Sequence, residues 1–382
     1  MSLTRRGFAQ TVAMGTTGIL SSSFIVGRGL EAAEFEPGSA QVPYDDGDLR
    51  LSSNENARGP GPKAIQALHQ AISPRAGRGY PPDHTDDLVA TIAEEYDVEA
   101  DNVVVGTGSG ALLAGAVRAF CSPDQALVTA APTYGTPERT AAEIYAPIKM
   151  IAVDRSLGLN LDRMAQAAIG SGMVYFCNPN NPTGTVHRAS DVEDFVRKVM
   201  RTSPDTRILM DEAYIDYTFD SDVGTAAPLT TEFANVFVTR SMSKAHGMAG
   251  LRVGYAIGQR GTLNSITRAW NLGSVNTLSA AAAIASLRDP GHIDDERREN
   301  ARVREFTLSA FRDMGFEAPD SHTNHVFVDL GRPASEFREA CLKQKVRVGR
   351  DFSPLERTHS RISLGTMEEM EKAVPVFRSV LT

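Results

Sequence analysis

An α/β fold with a mostly parallel sheet flanked by helices, joined to a smaller α+β domain, is what this sequence predicts. Three observations predict it. Short β-rich apolar runs alternate with helix-like stretches from about residue 45 to 275. That is the pattern of a parallel sheet covered on both faces. After 275 long helical text gives way to short, separated strands. Finally, nearly every run of the first series ends in polar or glycine-rich text, where ligands gather in open α/β sheets.

The first series holds seven runs: NVVVG (102–106), ALVTA (126–130), KMIAV (149–153), MVYFC (173–177), RILMD (207–211), VFVTR (236–240) and VGYAI (253–257). Helices are expected between them at 110–120, 161–169 and 190–202. In the second series, helical text at 276–313 precedes strands in HVFVDL, KVRVG and RISLG, with helices at 334–344 and 367–380. The expected organisation is a leader over 1–40, a segment over 41–72 that packs with the small domain, a large domain over 73–275 and a small domain over 276–382. No internal repeat or low-complexity linker interrupts it.

The 382 residues are 42% apolar and 23% charged, with net charge −8. That is an ordinary globular composition, and its acidity disfavours nucleic-acid binding. Cys121, Cys177 and Cys341 are too few and too scattered for a disulfide framework. His322 and His325 have no further Cys or His to complete a zinc set, so they read as polar residues before a strand, and no metal is expected. The leader is different. TRRGFAQ (4–10) precedes the weakly apolar TVAMGTTGILSSSFIV, which is too short and polar for a membrane span. Basic, apolar and small-residue parts follow in the order of a signal peptide. Arg5-Arg6 resembles a twin-arginine export signal, although Ala9 and Gln10 depart from its usual ending. Gly38-Ser39-Ala40 or Ala33 would suit cleavage. The expectation is a periplasmic or exported protein without stable membrane association; a cytoplasmic one is the alternative.

The strand ends carry the chemistry. GTGSGA (106–111) fits a dinucleotide fingerprint, but the next strand, ALVTAAP, ends without the acid that a ribose needs. The same turn can instead cradle a phosphate at a helix N-terminus. Ser109, Gly110, Ser241, Ser243 and Arg252 supply amides, hydroxyls and a guanidinium, which together suit one phosphate dianion. Singly, each reads as a loop hydroxyl or a surface arginine. Asp211 ends an apolar strand and needs a partner, which a protonated ring nitrogen would be. Tyr214 and Asn181 offer a phenol and an amide, Tyr134 a flat ring, and Lys244 an amine. A phosphate site, a ring-nitrogen partner, a phenolate partner, a stacking ring and a lysine describe pyridoxal phosphate.

LSSNENARGPGP, PTYG, NPNNPTG, DEAYIDY, SMSKAHGMAGLRVGY and RISLGT occur in one order from about residue 50 onward. They resemble the fold-type I, pyridoxal-phosphate-dependent aminotransferases of classes I and II, most of all the histidinol-phosphate aminotransferases. The resemblance implies that Lys244 forms the Schiff base and then acts as acid and base. It implies that Asp211 keeps the ring nitrogen protonated, that Tyr214 and Asn181 bond the ring oxygen, and that Tyr134 stacks. It implies a homodimer, with Tyr80 reaching the phosphate from the partner subunit. Arg361 is implied to grip a substrate α-carboxylate, with Asn56 and Arg58 near the substrate. Several positions depart from the family: Ala57 and Arg58 stand where Pro and an aromatic are usual, Gly110-Ala111 where two acids are common, and His246 where an aromatic is common. Arg58 reads either as a partner for an anionic side chain or as a solvent-facing group. His246 reads better as a hydrogen-bonded structural histidine than as a relay, and Arg350 as a possible pocket contributor.

The expected function is transfer of an amino group from an L-amino acid to a 2-oxo acid. The same cofactor and lysine also serve an amino-acid oxidase, a decarboxylase or lyase, or a racemase. A non-catalytic binding protein and a nicotinamide dehydrogenase are the readings from other classes. The departures and the export signal weaken the case for histidine biosynthesis.

Overall fold

Among the described residues, the first elements are a short strand, β1 (Leu49–Leu51), and a helix, α1 (Pro62–Ala71), which opens with proline at its first position. They belong to a computed structural model that describes residues 47–73, 76 and 85–382. The leader expected at 1–40 and Tyr80 lie outside the described residues.

The main sheet is built from β2 (Val103–Gly106), β3 (Leu127–Ala131), β4 (Ile148–Ala152), β5 (Met173–Cys177), β6 (Arg207–Asp211), β7 (Val236–Ser241) and β8 (Gly254–Gly258). Their order across the sheet is β2-β8-β7-β6-β5-β3-β4. β8 runs antiparallel to β2 and β7, and the other neighbours are parallel. Side chains alternate between two cores. Val174, Phe176, Ile208, Met210, Val236 and Val238 belong to one, while Met173, Tyr175, Leu209 and Phe237 belong to the other. This two-sided burial is why these strands read as unbroken apolar runs. The second face is covered by a helix over Ser109–Phe120 through Leu112, Leu113, Ala116 and Val117, and by one over Arg260–Ala269 through Leu263 and Ile266.

A further core gathers β1, β9 (His325–Asp329), β10 (Val346–Val348) and β11 (His359–Ser363) with the C-terminal helices. β1 pairs parallel with β10, and β9 antiparallel with β11. The helical text of 276–313 is two helices, Thr277–Leu287 and Pro290–Asp313, because Pro290 has no N–H to continue the first. Ala280, Ala282 and Ala283 of the first pack into the main-sheet core, whereas Val303, Leu308 and Phe311 of the second pack into the C-terminal core. Likewise Ala64 of α1 joins the main-sheet core and Leu51 of β1 the C-terminal one. The change of core therefore falls inside 41–72 and inside 276–313, not at the edges of those segments.

Candidate active site

The carboxyl ends of β2, β3, β5, β6 and β7 open into a cavity of about 720 Å³, closed on the other side by residues of β10 and β11. At the end of β2, Gly108 takes a φ of +84°, and the helix starting at Ser109 points its first turn into the cavity. A Cβ on Gly108 would sit 2.2 Å from Arg252 Nη2. That guanidinium donates to the Thr107 carbonyl at 3.3 Å and to Ser243 Oγ at 3.4 Å. Ser109, Gly110, Ser241, Ser243 and Arg252 all line this end. Unpaired helix amides, three serine hydroxyls and a fixed cation form an anion cradle.

Tyr134, Asn181, Asp211, Tyr214 and Lys244 line the adjoining part. Asp211 is only 2% exposed and accepts from the Tyr175 hydroxyl at 2.7 Å and the Ala213 amide at 3.3 Å. Burial raises its pKa above the ordinary carboxylate value, opposed by those donors. A cation placed against it would hold it ionised. Tyr214, also buried, accepts from the Asn54 amide at 2.9 Å and the Asn181 amide at 3.4 Å, and burial pushes its phenol up. Lys244 Nζ donates to the Asn54 carbonyl at 2.9 Å and lies 5.4 Å from the Tyr214 ring centroid. Desolvation, then the charge of Arg361, lowers the lysine to about 8. A surface lysine has no reason to be so shifted.

Arg361 comes from β11 and is 6% exposed. Its Nη1 donates to Asn181 Oδ1 at 2.9 Å, its Nη2 bonds the Ser52 carbonyl, and its Nε is buried without a partner. Burial lowers it to about 10. A guanidinium held on the cavity wall suits an incoming carboxylate. Together, the cradle, the buried acid, the depressed lysine and the cavity-lining arginine fit the phosphate, ring nitrogen and aldehyde of pyridoxal phosphate and a substrate carboxylate.

Two expected site residues are placed elsewhere. Asn56 and Arg58 do not line the cavity. Asn56 donates to the Ala245 carbonyl at 3.2 Å and to Glu296 at 2.9 Å, and Arg58 Nε lies 3.3 Å from Glu296. Asn54 faces the site instead, two residues earlier. Its left-handed φ of 54° turns the chain, so 54 points to the cavity and 56 to the helix over Pro290–Asp313. Asn54, Tyr175, Cys177 and Arg338 are the residues that sequence reasoning passed over. Arg350 does line the cavity, as does Arg338, whose guanidinium is paired with Asp351. His246 is a buried, hydrogen-bonded histidine, 2.8 Å from Ser286 Oγ.

The class I and II aminotransferase family matches residues 46–377. The histidinol-phosphate aminotransferase of Moorella thermoacetica is 31% identical, over 94% of this chain and 90% of its own. Histidinol-phosphate aminotransferase 2 of Nitrosospira multiformis is 33% identical, over 85% of this chain and 81% of its own. The crystal structure of histidinol-phosphate aminotransferase from Sinorhizobium meliloti, in complex with pyridoxal-5'-phosphate, has a TM-score of 0.80 at 26% identity, covering 87% of this chain and 90% of that one. The chain therefore belongs to the class I and II aminotransferases, which move amino groups between amino acids and 2-oxo acids with pyridoxal phosphate as cofactor.

Proposed function

We propose that Lys244 is the catalytic amine of this aminotransferase, that Arg361 holds the α-carboxylate, and that Arg338 and Arg350 favour a substrate with a second anionic group. The observation that carries the reading is the meeting of Lys244, Asp211, Tyr214, Asn181 and Arg361 at one cavity. Pyridoxal phosphate bound there supplies an aldehyde that captures the amino group and a protonated ring that takes up the electron pair left at Cα. The chain's residues do the rest. Ser109, Gly110, Ser241, Ser243 and Arg252 hold the phosphate. Asp211, paired with the ring nitrogen, keeps a proton on it. Tyr214 and Asn181 bond the ring oxygen, and Tyr134 covers the ring face. Lys244 Nζ, neutral above about pH 8, takes the proton from Cα as a general base. Because Arg361 grips the carboxylate, that group is retained, which favours transamination over decarboxylation.

The second anion is a phosphate ester, as in the substrate that gives the relatives their name, or a side-chain carboxylate. Amino donors of both kinds, added singly to holoenzyme with and without a 2-oxo acid, test this through the cofactor absorption. Conversion to the amino form of the cofactor, reversed by the oxo acid, is the expected result. Oxygen uptake without that conversion would replace transaminase by oxidase.

The reading extends to assembly and location. The enzyme works as a homodimer in which Tyr80 of each subunit completes the other's phosphate site. Lys244→Ala and Tyr80→Phe variants mixed together should recover activity that neither shows alone; no recovery counts against shared sites. Export by the twin-arginine route rests on Arg5-Arg6 and the text that follows, and it suits a protein that folds around its cofactor before transport. Replacing both arginines by lysine should hold the protein inside the cell, and unchanged fractionation would discard the route.

A further inference from the structure

His325 opens β9 and is fully buried, yet no step described above uses it. Its neighbours are those of the site. Nδ1 lies 2.9 Å from the Asn54 amide nitrogen, and that same nitrogen donates to the Tyr214 hydroxyl at 2.9 Å. The imidazole and the Tyr214 ring meet edge to face, with centroids 5.3 Å apart. On the other side, Nε2 is buried short of a full hydrogen bond, facing the Pro182 carbonyl.

Each of these atoms constrains the next. A carbonyl opposite Nε2 requires the proton on Nε2, which leaves a lone pair on Nδ1. That lone pair requires an N–H from Asn54, whose amide has two. The second N–H then points at Tyr214 Oη. The Asn54 amide oxygen accepts from Ser363 Oγ at 2.6 Å, while Ser363 Oγ accepts the Asn54 backbone N–H at 2.9 Å. The Asn54 backbone carbonyl receives Lys244 Nζ. One asparagine thus touches both Tyr214 and Lys244, and His325 decides which way round its amide sits.

We propose that His325 is a positioning residue for transamination: held as the Nε2–H tautomer, it orients the Asn54 amide to donate to Tyr214 Oη, leaving the tyrosine proton free for the cofactor ring oxygen. With the opposite tautomer the amide would turn over. Tyr214 would then spend its proton on Asn54 Oδ1 and have none for the ring. Burial, and the cations Arg361, Lys244 and Arg304 that face the imidazole, hold it neutral well below its ordinary pKa. The proposal rests on the reading of Tyr214 as the partner of the ring oxygen.

Three variants separate the two ring nitrogens. His325→Asn keeps an acceptor near the position of Nδ1, His325→Gln moves it toward Nε2, and His325→Phe removes it while filling the ring space. In holoenzyme, Gln and Phe are expected to lower kcat about tenfold, the worth of one buried hydrogen bond. KM for the amino acid should hold within about threefold, and the pH at which the bound cofactor's absorption titrates should move. Asn should recover kcat to within about threefold of wild type. Nitrogen NMR of the cofactor-free protein should show His325 with bare Nδ1 and protonated Nε2, unchanged from about pH 6 to about pH 9. A protonated Nδ1, or a Phe variant that titrates and turns over like wild type, would overturn the proposal. If Gln and Phe do not fold, the NMR tautomer and the Asn variant decide it. Lys244→Ala is the control: if it keeps wild-type absorption and turnover, the reading of the site fails, whatever His325 does.

Discussion

Lys244 has an amine near the pH at which it must act. Its pKa of about 8 in the folded chain stands below the ordinary value of 10.5, because burial disfavours the ammonium. The unfolded chain therefore binds a proton that the folded one does not between those values. Stability of the cofactor-free protein should rise with pH from about 8 to about 10.5. Lys244→Met should lack that rise in denaturant titrations, and its rate of pyridoxal phosphate capture should fall below detection. Wild-type capture should accelerate through about pH 8, and a flat profile would place the amine's pKa elsewhere. Tyr175 is a second test. Its hydroxyl is one of few donors to Asp211, and a hydrogen bond to a charged group contributes about 1.5–3 kcal/mol. Tyr175→Phe should cost kcat about tenfold or more and weaken cofactor retention; equal kcat would show that Asp211 needs no such support. Residues at strand ends, such as Asp211 and Lys244, are legible in the sequence because polar groups there have no packing explanation. Tyr175 is not, since it sits inside the apolar MVYFC and reads as core. Asn54 is not either: only its left-handed φ turns it inward, and asparagine shows that tolerance without announcing it.

Among elements, the turn from β2 into the helix over Ser109–Phe120 and the loop from β7 through Arg252 depend on each other. Arg252 also takes a left-handed φ, of 57°, which turns its guanidinium back under Thr107. Gly108 leaves the room for it. Gly108→Ala would add backbone strain at φ +84° and drive Arg252 aside. The cost should appear as weaker cofactor affinity, about tenfold or more, with the melting temperature of the cofactor-free protein changed much less. An unchanged affinity would mean that Arg252 is not part of the cradle. The seven runs of the main sheet are legible because strands buried on both faces leave continuous apolar text. The antiparallel direction of β8 is not, because VGYAI is a short apolar run like those of the parallel strands. The change of core is hidden for a related reason. The helices over Thr277–Leu287 and Pro290–Asp313 form one helical stretch in the sequence, and only packing shows that their apolar residues serve different cores.

Taken as a whole, the molecule assembles its site from both cores: Lys244 and Asp211 come from the main sheet, Arg361 and His325 from the C-terminal strands. Holding the main-sheet half in place is a buried ion cluster. Arg240 on β7 pairs with Glu212 and Asp216, which flank Tyr214 in sequence. His246, two residues after Lys244, lies with Nε2 3.8 Å from Asp216. Burial lowers this histidine to about 4 from 6.5, with Asp216 opposing and Arg240 and His292 assisting. In the folded protein the imidazole is thus neutral across that window, while the unfolded chain takes up a proton. Its contribution to stability is therefore complete above about pH 6.5 and is lost as pH falls toward about 4, with a limiting slope of about 1.4 kcal/mol per pH unit. His246→Asn keeps a polar partner for Ser286 but cannot titrate. The cofactor-free variant should match wild type within about 1 kcal/mol near neutral pH and lose less stability on acidification, measured as the denaturation midpoint at each pH. Buried Glu212, with its raised pKa, works in the opposite sense, but it is common to both proteins and cancels in the difference. Parallel curves would mean that His246 titrates alike in the folded and unfolded chains, with Asp216 just balancing burial. A wild type that gained stability on acidification relative to the variant would mean that Asp216 outweighs burial, and the loop that carries Lys244 would rest on a charged pair.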